Sequence, residues 1–113
     1  MGEHPWFKEF PGSIIVCDPQ GVILEMNAKA IQSYEKQGGE GLIGSNMLDC
    51  HPEPARTRVQ ELLASRQPNI YTIERNGVHK FVCQMPWTVE GEYRGIVEIV
   101  MEIPAEMPHF VRG

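Results

Sequence analysis

Asn76-Gly77 lies between two runs of β-forming residues, 69–75 (NIYTIER) and 78–87 (VHKFVCQMPW). Both central residues of a tight two-residue hairpin turn need positive φ, and Asn-Gly meets that need better than almost any other pair. The dipeptide therefore commits the second half of the chain to adjacent antiparallel strands. An earlier hairpin is written differently. Residues 13–17 (SIIVC) and 22–26 (VILEM) flank Asp18-Pro19-Gln20-Gly21, with Pro second and Gly fourth, the pattern of a type I turn. A third turn at Glu90-Gly91-Glu92-Tyr93 leads into 94–103 (RGIVEIVMEI), and Pro86 marks a fray or an edge in the strand before it.

Between the first hairpin and the later three-strand meander the periodicity changes. Asn27 is an N-cap candidate for a helix over 28–37, in which Ala30, Ile31 and Tyr34 recur at helical spacing before Gly38-Gly39 stops it. Residues 40–52 are irregular, anchored by Leu42, Ile43, Met47 and Leu48. A second helix is expected over 53–65, where Ala55, Val59, Leu62 and Leu63 form one apolar stripe. Asp49 or the segment after it would cap that helix, with Pro54 in its first turn. The fold class is α+β: a five-stranded antiparallel sheet with helices covering one face. Residues 1–12 form a lead-in, 13–103 the domain and 104–113 a loose tail.

Composition narrows the function classes. The 113-residue chain carries a net charge of −5, and its ten Lys and Arg are scattered. That argues against nucleic acid, which requires clustered cations, and against anionic membrane surfaces. No apolar run is long enough to span a bilayer, and no secretory signal opens the sequence. Gly2 follows the initiator, but Trp6 stands where a myristoylation signal carries Ser or Thr. Cys17, Cys50 and Cys83 are odd in number and widely spaced, which fits neither a disulfide framework nor a metal site. A cytoplasmic protein with reduced thiols is expected.

Three segments in order, IIVCDPQGVILEMNAKA, LIGSNMLDCHPEP and GEYRGIVEIVMEI, resemble the PAS (Per-Arnt-Sim) sensor domain. They are similar to its first hairpin with an Asn-entered helix, its Gly-containing loop before the long helix, and its last strand. The likeness covers about residues 10–103. It implies a non-catalytic sensory module that binds a ligand, cofactor or partner, commonly as a dimer.

A sheet under helices leaves a space that is either filled by side chains or open to a ligand. Strand alternation assigns Val97, Ile99 and Met101 of the last strand, and Phe81, Cys83 and Met85 of the strand before it, to the helix-covered face. With Ile15, Cys17, Leu24, Val59, Leu63 and Tyr71 they are the candidate pocket residues. A filled core made of the same residues is the alternative, and it would leave an interaction domain without a ligand.

The resemblance also implies a cofactor to consider. Some PAS domains bind haem through one His on the long helix or at its entrance, which makes His51 a candidate axial ligand; a loop His hydrogen-bonded near a helix start is the other reading. A flavin photoadduct is not expected. The light-sensing branch carries its reactive Cys directly after the Asn of a Gly-x-Asn loop, and here Gly44-Ser45-Asn46 is followed by Met47. A chromophore thioester on Cys50, or a thiol enzyme using Cys50, are further alternatives. The neighbouring His51 is poorly placed by sequence to act as its base. Arg56 and Arg58 belong to a solvated helix face unless one turns inward to hold a carboxylate. No metal site is expected.

Trp6, Phe7 and Phe10, together with Ile96 and Val100 on the sheet face assigned away from the helices, mark a candidate dimer face. Cover of that face by the lead-in of the same chain is the alternative. The expected partners are a second copy, a signalling effector acting in trans and a small-molecule ligand.

Overall fold

The structure is a computed structural model that describes residues 4–113, apart from the side chain of Cys50. After a one-turn helix, α1 (Pro5–Lys8), come β1 (Ser13–Cys17), β2 (Ile23–Met26), α2 (Ala28–Ser33), α3 (Ala55–Ser65), β3 (Asn69–Arg75), β4 (Val78–Val89) and β5 (Glu92–Ile103). Three short 3₁₀ turns fill the stretch between α2 and α3. The strands form one antiparallel sheet in the order β2-β1-β5-β4-β3. The five strands and the two longer helices follow the sequence reading. Helix α2 is shorter than the 28–37 expected because the chain tightens into a 3₁₀ turn at Glu35–Gln37. Asp49 does not cap α3, which starts behind Pro54 without a side-chain cap.

The turns behave as their residues require. Asn76 and Gly77 both have positive φ, as do Glu90 and Gly91 at the next hairpin. At the first hairpin the Asp18 carboxylate accepts from the backbone N–H of Gln20 and of Val22, each at 2.9 Å. Asn46 then donates to the Gln20 carbonyl at 3.0 Å, which seats the loop before α3 on this turn.

Asn27 joins the pieces. It is 1% exposed, and its Oδ1 accepts from the N–H of Ala30 at 3.0 Å and of Ile14 at 2.9 Å. Its Nδ2 donates to the carbonyl of Gly12 at 2.9 Å. One side chain thus caps α2, holds the start of β1 and anchors the lead-in. Gly95 makes the second fixed contact. Its φ is +130°, and a Cβ there would overlap the Cys17 carbonyl oxygen.

The core is small and lies to one side. Ile15, Ile23, Met26 and Ala30 form one cluster, and Cys17, Leu63 and Ile96 the other. Every residue of β3 is exposed, so the helices lie over β2, β1 and β5 and leave the far edge of the sheet open. Among the described residues no helix is long and apolar enough to cross a membrane.

Replacing Asn27 by Ala removes a helix cap, worth about 1 kcal/mol. It also leaves the buried Ile14 N–H without the Asn27 Oδ1 acceptor, at a cost of about 1–3 kcal/mol. Chemical denaturation is expected to show a loss of about 3 kcal/mol for Asn27→Ala. Asn27→Asp should not rescue it, because a carboxylate cannot donate to Gly12. Gly95→Ala is expected to cost about 3 kcal/mol or more, read by the same measurement.

Candidate functional site

The register decides which side chains face the helices. Ile15 sits opposite Glu98, Cys17 opposite Ile96, and Gln84 opposite Glu98. Ile15 and Cys17 belong to the clusters beneath the helices, so Ile96, Glu98 and Val100 share their face. Phe81, Cys83, Met85, Val97, Ile99 and Met101 therefore lie on the opposite face, which corrects the alternation assigned from sequence. That assignment turned Glu98 and Glu102 of β5 away from the helices, the usual arrangement for a half-buried strand. Here the pairing with Ile15 turns Glu98 inward, where it lines a cavity.

The cavity has a volume of about 190 Å³ and opens between β1, β2, β4 and β5 and the α2–α3 region. Its apolar wall is Ile15, Ile23, Met26, Leu42, Met47, Val59, Leu62, Leu63 and Ile96, and its polar groups are Tyr34, Gln37, His51, Gln84 and Glu98. Of the candidates read from the sequence, Ile15, Val59, Leu63 and His51 line it. Cys17 lies on the same face, buried between Leu63 and Ile96. Tyr71 also shares this face through its pairing with Val82, but it is 43% exposed and outside the cavity wall. Leu24 is 41% exposed, at the register shift of the edge strand.

Glu98 and Gln84 were missed because each stands among apolar residues on a strand whose two faces look alike. Their shared cross-strand position was the available signal. The two are bonded: Gln84 Nε2 donates to Glu98 Oε2 at 2.7 Å, and Gln84 Oε1 accepts from Asn69 Nδ2 at 2.7 Å. A carboxylate only accepts, so the Gln84 amide has one orientation, and that orientation dictates Asn69's. The field of Glu98 reaches its neighbours. Tyr34 and Tyr71 both have phenol pKa values raised, first by burial and then by the Glu98 charge.

His51 Nδ1 lies 2.6 Å from the Met47 carbonyl. A carbonyl cannot donate, so Nδ1 carries the proton, and in the neutral ring Nε2 is a bare acceptor. This is how an imidazole is prepared to ligate a metal, but the rest of the cavity does not fit haem. Its volume is close to the roughly 150 Å³ that holds one benzene ring, far below what a macrocycle needs. Among the described residues no Lys or Arg lines it to meet propionates, and Glu98 would oppose them. Met47, at the position following Asn46, is a cavity residue without a thiol, so the flavin photoadduct has no nucleophile there. Among the described residues no cluster of metal-ligating groups occurs. The Cys50 side chain, with the thioester and thiol-enzyme readings that need it, lies outside the described residues. Cys17 is buried, which pushes its thiol pKa up.

At the far end of the cavity wall, Tyr93 Oη donates to the Leu63 carbonyl at 3.0 Å, and the Arg66 guanidinium lies 4.8 Å from the Tyr93 ring centroid. These contacts hold the end of α3 on β5. Arg56 and Arg58 are both exposed, on the solvated side of α3. The dimer-face candidates divide. Ile96 is buried in the core, not on an outer face. Val100 lies on the helix side, in a second cleft with Phe10, Lys29 and Ser33. Phe7 and Phe10 are half-buried, and Trp6 is 70% exposed.

Comparisons with known proteins follow the same lines. A family model described as a PAS fold matches residues 7–106. No curated protein matches the chain. The PAS domain of BvgS from Bordetella pertussis superposes with a TM-score of 0.66 at 18% identity, covering 87% of this chain and 81% of that one. The PAS domain of an HTR-like protein from Haloarcula marismortui gives 0.60 at 20% identity, over 88% and 87%. The Aer2 receptor of Vibrio cholerae, described as a dual PAS-haem oxygen sensor, gives 0.59 at 19% identity, over 82% and 95%. At these identities the likeness is one of fold.

The raised phenol pKa values set a pH dependence. A group whose pKa is higher folded than unfolded adds stability that is complete below the unfolded value, near 10 for tyrosine. The stability is lost as pH rises through the folded value. Denaturation midpoints are expected to fall above about pH 10. Tyr34→Phe should flatten that fall.

Proposed function

The chain belongs to the PAS-fold family, and we propose that it is a non-catalytic sensory module whose cavity takes a small ligand and whose occupancy alters its engagement of a signalling partner. The cavity carries this reading. Packed interiors hold few voids larger than a water molecule, whereas about 190 Å³ opens here between an apolar wall and five polar side chains. That contrast favours a ligand site over a filled core. Sensor proteins among the similar folds, including a sensory box histidine kinase from Vibrio cholerae, support a place in signal transduction. The effector acts in trans or in the parent protein, and the module works in the cytoplasm.

Native mass spectrometry of the freshly purified protein, with an absorption spectrum, tests the ligand. A released small molecule is the expected result. Val59→Phe should fill the cavity and abolish that adduct at a cost in stability of no more than about 1–3 kcal/mol. Equal adducts in both proteins would count against the cavity.

A homodimer through the outer sheet face is part of the proposal. Met85 and Met101 are 39% and 37% exposed there, beside Phe81, and Met101 pairs directly with Phe81. Sedimentation should show a concentration-dependent dimer that Met101→Glu weakens at least about tenfold, the effect of one buried charge without a partner. A monomer at every concentration would sink the dimer.

A further inference from the structure

Resting on the reading of the cavity as a ligand site, we propose that its ligand is a small organic cation. It would be about the size of a single ring and carry a protonated amine or amidine that donates to Glu98. Four observations converge on that chemistry. Glu98 lines the cavity, and only its Oε2 accepts a hydrogen bond from the described residues. The Asn69–Gln84 relay presents an amide N–H₂ to that oxygen, so the carboxylate is held in place while Oε1 remains free to accept.

Among the described residues neither Lys nor Arg competes for it. Neither Lys nor Arg lines the cavity, and the ion pairs among the described residues, His79–Glu74 and Arg94–Glu92, involve other groups. His51 adds a second acceptor: with Nδ1 committed to the Met47 carbonyl, the neutral ring offers Nε2 as a lone pair. The polar side of the cavity thus asks for N–H donors and positive charge, while the aliphatic wall takes a ring. The volume of about 190 Å³ sets the size. An anionic ligand would meet Glu98 without any compensating cation. A neutral one would leave the carboxylate without a charged partner.

Three ring compounds of similar size and different charge test this: benzamidine, benzyl alcohol and benzoate. Each is titrated into the whole chain and followed by ¹H–¹⁵N correlation spectra, for wild type and for Glu98→Gln. Benzamidine is expected to shift the cavity resonances and to bind at least tenfold more tightly than benzyl alcohol, with benzoate showing no binding. Glu98→Gln should weaken benzamidine by about 10- to 100-fold, the effect of losing a charge-assisted hydrogen bond. The wild-type ranking stands by itself even if the variant folds poorly.

Equal binding of benzyl alcohol and benzamidine by the wild type would overturn the cation while leaving the cavity a ligand site. Unaltered benzamidine affinity in a folded Glu98→Gln would also overturn it. Silence from all three compounds at the cavity resonances would overturn the cavity reading and this inference together.

Discussion

The buried amide of Asn27 is the constraint on which the rest of the architecture depends. Four backbone segments converge on it: the lead-in at Gly12, β1 at Ile14, the end of β2 and the first turn of α2. A buried amide offers two donors and two acceptor sites, and here both ends of the side chain are used. Because α2 starts where Asn27 puts it, Ala30 packs into the cluster of Ile15, Ile23 and Met26, and Tyr34 and Gln37 arrive at the rim of the cavity. The cavity is a consequence of where this helix is forced to begin.

Much of the fold was readable because its turns carry their own chemistry. Asn76-Gly77, the Asp18 turn and Asn27 each state a local geometry in side-chain terms, and the pairing of consecutive strands followed from the turns. What could not be read was the facing of β4 and β5. Ile96, Glu98 and Val100 alternate with Val97, Ile99 and Met101, and both sets are apolar enough to be buried. Only long-range pairing decides between them. Gly95 decides it, since its close approach to Cys17 fixes which residue of β5 meets β1. Half of the pocket candidates read from sequence consequently lie on the other side of the sheet, whereas Ile15 of β1 and Val59 and Leu63 of α3 line the cavity.

The sheet is unevenly supported. Helices cover β2, β1 and β5, and the β3–β4 hairpin extends beyond them with β3 exposed along its whole length. The radius of gyration is 15.0 Å, larger than the roughly 13 Å of a compact domain of this size. Backbone hydrogen bonds and cross-strand pairs hold the hairpin, with little apolar burial, and such elements occupy the low-stability end of a domain. The relay from Asn69 through Gln84 to Glu98 crosses from this open edge to the wall of the cavity.

That relay has a sense of direction. Two neighbouring amides can satisfy each other in either of two orientations, each the mirror of the other in donor and acceptor. A carboxylate at one end removes the choice, since it has no proton to give. Glu98 therefore acts as a terminator that lifts a twofold degeneracy across three strands. An amide in its place would restore both orientations, and the row would become an orientational mixture with a wall that presents donors in one arrangement and acceptors in the other. A single acidic side chain thus gives the sheet a polarity that its backbone, with alternating strand dipoles, does not possess.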